Sequence, residues 1–440
     1  MRAPSAYASC LLIAIATLCT TQGAGAQTIA DELRADVRRS AGMYYALPMT
    51  ETTKDTPPPA GKKPFYINHY GCSSPYYLDQ PGRYTAPNRT LARADSLGML
   101  SRLGRNVLRK VALLRKEAHN RTNELTEAGK LQARKVAKQM TDRLPEMFTD
   151  NSYVDGRSIV QNHCLLTLGE ATVQVSRAHQ PMHVDCNGSH SYQQWMNPPD
   201  DKLEALRQDT VAIFKFTAFV DSLEPDFTRL AKTLFNDDNY VKHINAAALG
   251  RQLFDLACTT QYSESVDDTS LLELFTPDEI HRLWKIRNAL AYIRYGGCTL
   301  NGGYQPYVQR SPLWILLHMG DSIMTLDNPV VHLRYTHQNV LMSLVCLLEL
   351  DGFGVKTACL DSIETLGWAD YRIAPFGGSI MMIHYRSDKN DPDPMVRVLL
   401  NGREAQLPIP TDYPPYYHWQ DVKRYYLRKL YIYERERNYE

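Results

Sequence analysis

Short runs of aromatic and β-branched residues, set apart by long segments of helical period, constrain this chain more than any other feature. Phe65-Tyr66-Ile67-Asn68-His69-Tyr70 is one such run, stopped by Gly71 to Pro75. Pro329 to Tyr335, Ser379 to Tyr385 and Met395 to Leu400 are others, the last two read as a pair at a sheet edge; Pro181 to Val184 reads as a further short strand. Runs of this length, bounded by Gly and Pro, are strand signals. Between them the spacing predicts helices over 91–118, 127–144, from about 155 through 171, 313–324 and 339–350, and a closing amphipathic helix over 418–433. Strands that recur with helices between them need crossover connections. The expected fold class is therefore α/β: a mixed, mainly parallel sheet with helices on both faces. Residues 200–295 are almost wholly helical in pattern, which marks an inserted α-helical cap domain. The expected organisation is a signal peptide over 1–26, a lead-in over 27–61, a core made of 62–190 and 300–440, and a cap over 191–299.

Composition narrows the function. The 440 residues carry 49 basic and 48 acidic side chains, so no chain-wide field favours a polyphosphate backbone such as a nucleic acid. The basic stretch Arg102 to Lys116 lies on a helical pattern and reads as a solvated face. Arg2, the apolar run Leu11 to Leu18 and Ala24-Gly25-Ala26 before Gln27 have the layout of a cleavable export signal. That run is far shorter than the ~20 apolar residues that span a bilayer. The expectation is export to the periplasm or beyond, with no membrane span. Cleavage leaves seven cysteines, Cys72, Cys164, Cys186, Cys258, Cys298, Cys346 and Cys359, an odd number that leaves at least one outside any intrachain disulfide. No C-x-x-C pair, HExxH or DxDxDG string is present, so spacing points to no metal and no cofactor.

The order of several local strings resembles the second branch of the histidine phosphatase superfamily. That branch holds histidine acid phosphatases, phytases and multiple inositol polyphosphate phosphatases, and the likeness is greatest to bacterial, Bacteroidetes-type secreted members. The strings are Pro64 to Gly71; Glu124-Leu125-Thr126 with Gly129; Val154-Asp155-Gly156-Arg157-Ser158; Leu333-Arg334-Tyr335-Thr336-His337; and Tyr416 to Val422. The resemblance implies a metal-independent phosphoric monoester hydrolase. A histidine at the end of the first strand, within R-H-G-x-R, attacks phosphorus. Arginines and a second histidine cradle the phosphoryl oxygens, and a carboxyl beside that histidine protonates the leaving alcohol.

On this sequence the motif reads Cys72-Ser73-Ser74-Pro75-Tyr76. Cys72 and Tyr76 stand for the two arginines, Ser73 for the nucleophile and Gln338 for the acid. Arg157 and His337 fit the remaining phosphate-binding positions. His69 is the alternative nucleophile, although a histidine in an aromatic strand is more often a core residue. His163, beyond Arg157, reads as structural. Two lost arginines weaken phosphate binding by about 3–6 kcal/mol if each charge-assisted bond contributes about 1.5–3. The reading that follows is a catalytically inactive or crippled relative that binds a phosphate ester, such as an inositol phosphate, or a partner. The competing readings are an active phosphomonoesterase on inositol phosphates, using His69 or an unrecognised group, and a purely structural or adhesive surface protein.

Overall fold

The computed structural model describes residues 28–48, 55–178 and 182–437; the expected signal peptide lies outside the described residues. Eight strands form one mixed sheet: β1 (Lys63–Cys72), β2 (Tyr153–Ser158), β3 (His183–Gly188), β4 (Val330–Thr336), β5 (Ser379–Arg386), β6 (Met395–Leu400), β7 (Arg403–Ala405) and β8 (Tyr416–His418). Their order is β8-β6-β5-β1-β4-β2-β3, with β7 paired to β6. Strands β1, β4, β2 and β3 run parallel, whereas β5 lies antiparallel to β1 and β6 antiparallel to β5. The pair expected at an edge, β5 with β6, is instead interior, because β8 covers the far side of β6.

Alternation along the strands sorts side chains to two faces. Ile67, Leu333, Tyr335, Met381 and Ile383 face one side, where Ala137 and Met140 of helix Glu127–Arg143 and Leu168, Ala171 and Val175 of helix Asn162–Ala178 cover them. Tyr70, Ile380, Met382, Val396 and Val398 face the other, beneath helices Arg310–Ile323, Gln338–Leu348 and Trp419–Arg437. Helices on both faces explain why the inner strands are apolar almost throughout. A separate helical cluster joins Ile29 to Tyr45, Tyr77 to Ala118 and Phe227 to Trp284. Helix Thr210–Leu223 instead packs Ala212 and Phe219 against the sheet-covering helices.

Two local expectations are corrected. The stretch 91–118 is two helices, Gly82–Ser96 and Arg102–Glu117. Gly98 stands between them at φ 70°, a left-handed conformation that ends a helix, and Ser101 caps the next by accepting from Gly104 N at 3.0 Å. Residues 153–158 are strand rather than helix, hydrogen-bonded on both sides to β3 and β4, and the helix begins at Asn162. Two parallel neighbours outweigh the local helical spacing. The seven cysteines among the described residues are free thiols, all buried except Cys186 and Cys359.

The loop after β1 is held by one close approach. Thr126 N donates to Pro75 O at 3.0 Å, Thr126 Oγ1 accepts from Gly129 N at 3.0 Å, and a Cβ on Gly129 would sit 2.1 Å from Pro75 O. Gly129→Ala must push the helix start off this loop. We expect it to destabilise the fold by about 1–3 kcal/mol, the usual cost of overpacking, as a lower urea midpoint with an unchanged slope.

Candidate functional site

Parallel strands β1, β2 and β4 release their loops on one edge of the sheet, and ligands of open α/β folds bind in the crevice at the carboxyl ends of strands. A cavity of about 440 Å³ opens there. Tyr76 and Asp79 come from the loop after β1, Gln161 and His163 from the β2 connection, and His337, Gln338 and Asn339 from the end of β4. Met43, Tyr44, Asn123 and Tyr295 close the rest of the wall. The rings of Tyr76 and His163 stack at 4.0 Å and 10°, and His163 lies 5.2 Å from the His337 ring. His163, which the sequence marks as structural, is therefore a wall of the site. Its membership follows from where the β2 connection turns into its helix, which no local spacing reveals.

The expected positions fall as follows. Ser73 is fully buried at the end of β1, with Oγ 3.4 Å from Gln338 Oε1. The positions of the expected nucleophile and acid are thus brought together, as a serine facing an amide. Cys72 turns inward, its thiol donating to Pro375 O at 2.9 Å, and burial pushes it up to about 12. It cannot serve as a thiolate at ordinary pH. Tyr76 supplies a phenol where the resemblance asks for a guanidinium. His337 occupies the N-cap of helix Gln338–Leu348 without a side-chain cap bond. Arg157 is separated from it: it lines a different cavity, pairing with Asp155 through Nε at 3.0 Å. His69 is not in the cavity wall either; it is 1 % exposed and packed 5.4 Å from the Tyr335 ring, with neither ring nitrogen hydrogen-bonded to any described residue. A nucleophile there has no route to a substrate at the strand ends.

The cavity is polar but poor in charge. Burial, with a smaller contribution from His337, lowers His163 to about 3, and burial lowers His337 as well, so the two rings are neutral at pH 7. Among the described residues no arginine or lysine lines this cavity. Arg83 stands behind it, donating to the Tyr44 hydroxyl at 3.1 Å and paired with Asp255 at 3.5 Å. The uncapped amino end of helix Gln338–Leu348 supplies partial positive charge at this edge. His163, Cys164 and His337 bring three ligating atoms within 4.8 Å of one another, and Cys164 Sγ lies 3.3 Å from His163 Nδ1. One thiol and two imidazoles form a donor set of the kind zinc accepts. No spacing in the sequence signals this group, because two helices distant in the chain contribute to it.

A doubly covered mixed sheet with a cavity at the carboxyl ends of its parallel strands defines an α/β protein. The structure superposes on the Bifidobacterium longum multiple inositol polyphosphate phosphatase in its complex with inositol hexasulfate, at TM-score 0.70 and 12 % identity over 88 % of this chain and 97 % of the other. The phosphate complex of the same enzyme matches at TM-score 0.71 and 13 % identity, over 88 % and 97 % of the two chains. The phytase from D. castellii matches at 0.67 and 13 % identity, over 90 % and 86 %. The chain thus has the fold of the multiple inositol polyphosphate phosphatases and phytases, and the resemblance to the second histidine phosphatase branch holds at the level of the fold. No protein-family model and no curated protein matches the sequence.

Burial lowers His69 to about 4 and, with smaller charge effects, His163, His332 and His384 to about 3. Between these values and an unfolded pKa near 6.5, the unfolded chain binds protons the folded chain does not, so stability falls as pH drops through that window. Asp370, raised by burial to about 6, and Asp351, which burial also raises, act in the opposite sense as pH falls, but the buried histidines outnumber them. Urea denaturation at pH 7, 5.5 and 4.5 should show this loss. His69→Leu, which removes a buried ring with two unpartnered nitrogens, should flatten it by on the order of 1–3 kcal/mol.

Proposed function

We propose that this chain is an exported phosphatase-fold protein that does not turn over phosphomonoesters and binds a polyol phosphate ester in the cavity at the strand ends. The observation that carries the reading is the Ser73–Gln338 contact at the end of β1. A serine needs a base or a metal to become a nucleophile. The amide oxygen facing it takes no proton, and among the described residues no guanidinium lines the cavity to neutralise a transferring phosphoryl group. The chemistry that remains is recognition. The side-chain amides of Asn123, Gln161, Gln338 and Asn339 and the phenols of Tyr44, Tyr76 and Tyr295 line one volume, and amides and phenols suit the donor and acceptor pattern of ring hydroxyls.

An inositol ring matches this inventory, and the structurally similar proteins support that class: the Bifidobacterium longum enzyme forms a complex with inositol hexasulfate and another with phosphate. With no arginine among the described residues of the wall, phosphates add less affinity than in an enzyme built to transfer them. We therefore read a lightly phosphorylated inositol or sugar as the ligand, held mainly through hydroxyls, with one phosphate toward the amino end of helix Gln338–Leu348. Export rests on the N-terminal layout of charge, apolar run and small-residue site.

The decisive measurement is phosphate release from p-nitrophenyl phosphate and inositol hexakisphosphate across pH 3–8. It compares the natural protein with a variant carrying Cys72→Arg, Ser73→His, Ser74→Gly, Tyr76→Arg and Gln338→Asp. The natural protein should be silent. The variant should gain activity, because the 73–338 contact already places a new histidine beside a new carboxyl. Enzyme-like turnover by the natural protein would sink the reading.

A further inference from the structure

The second cavity, about 410 Å³, lies on the sheet face rather than at the strand ends, and the phosphatase reading leaves it unused. Its floor is made by alternate residues of three parallel strands: Asn68 of β1, Asp155 and Arg157 of β2, and Arg334 of β4. Its wall includes Trp314 of helix Arg310–Ile323 and Trp195 from the turn before the helical block. We propose that this cavity is a separate ligand site for a small compound with a planar ring and one oxyanion, a carboxylate or a phosphate ester.

The charge arrangement comes first. One carboxylate, Asp155, serves two guanidiniums: it accepts from Arg157 Nε at 3.0 Å and from Arg334 Nη2 at 2.7 Å. Arg334 is spent, since its Nη1 also donates to the backbone oxygens of Asp155 and Leu333 at 2.6 and 3.1 Å. Arg157 is not. Among the described residues no group accepts from its two Nη atoms, and its guanidinium lies over the Tyr192 ring at 4.7 Å, which fixes the plane of the fork. The trio leaves one net positive charge, with two planar donors free for an oxyanion.

The wall supplies the ring contact. Trp195 is 43 % and Trp314 46 % exposed although both line a cavity, and Trp314 stacks on His318 at 3.6 Å and 21°. Indole faces left open in a concavity are platforms for a planar partner. The third point is Asn68: it is 3 % exposed, its Nδ2 donates to Tyr66 Oη at 2.9 Å, and its Oδ1 is a buried acceptor without a partner among the described residues. A buried orphan acceptor in a cavity wall is satisfied by a ligand hydroxyl or N–H.

Isothermal titration with 2-naphthoate, 2-naphthyl phosphate, 2-naphthol and inorganic phosphate tests this on the intact protein. One naphthyl anion should bind per chain. 2-Naphthol and phosphate alone should each bind about tenfold or more weakly, because each lacks one of the two contacts. The carboxylate and phosphate arms decide which oxyanion is preferred. Arg157→Gln and Trp314→Leu should each weaken binding about tenfold or more. His337→Gln, in the other cavity, should leave it unchanged. Should Arg157→Gln fail to fold by circular dichroism, Arg157→Lys replaces it, keeping the charge while losing the fork, and should still weaken binding. Absence of binding by both naphthyl anions, equal affinity in the Arg157 variant, or loss of binding in His337→Gln would each overturn the proposal. None of these outcomes depends on phosphatase activity.

Discussion

Strand β1 is the constraint on which the rest depends. It is hydrogen-bonded along its length to a parallel neighbour, β4, and an antiparallel neighbour, β5, and its residues from Phe65 to Cys72 are all buried. A central strand of this kind has no freedom of register, since a one-residue slip would exchange the side chains of its two faces. Its carboxyl end must therefore emerge beside those of β4 and β2. The backbone bonds from Thr126 and the Gly129 contact then press the following loop into one place. The cavity at the strand ends is the space these loops leave.

The same alternation separates three residues that look equivalent along the chain. His69 points to the face covered by helix Glu127–Arg143 and is sealed there; its neighbours Asn68 and Tyr70 point to the other face and line the second cavity. Likewise Asp155 and Arg157 face that second cavity, so an arginine that fits a phosphate-binding position by string similarity serves a different volume. Chemistry-bearing side chains in this fold are assigned by strand parity before they are assigned by type.

Retaining a fold while changing the groups at its functional edge is physically easy here. Cys72 and Ser73 are buried and hydrogen-bonded where the resemblance asks for two charged or titrating side chains. Buried charges without partners are costly, so neutral replacements relieve the core of groups that only a bound phosphate would compensate. The result is a polar cavity, lined among the described residues by amides, phenols and the single carboxylate of Asp79, on a scaffold that superposes on multiple inositol polyphosphate phosphatases and phytases.

By itself the sequence determined the class of fold. Strand runs at 65–70, 329–335, 379–385 and 395–400, with helical spacing between them, demand a covered sheet, and the strands and helices observed lie within a few residues of those positions, apart from 91–118 and 153–158. It also determined that, in the register the resemblance gives, Cys72, Ser73, Tyr76 and Gln338 stand where charged or titrating side chains are expected, because that is a matter of residue type. What only the tertiary structure decided is company: that Ser73 meets Gln338, that His163 and Cys164 stand by His337, and that Arg157 and His337 line different cavities. These pairings join residues far apart in the chain through parallel crossovers. The local spacing that encodes a helix or a strand carries no information about which strand ends will become neighbours.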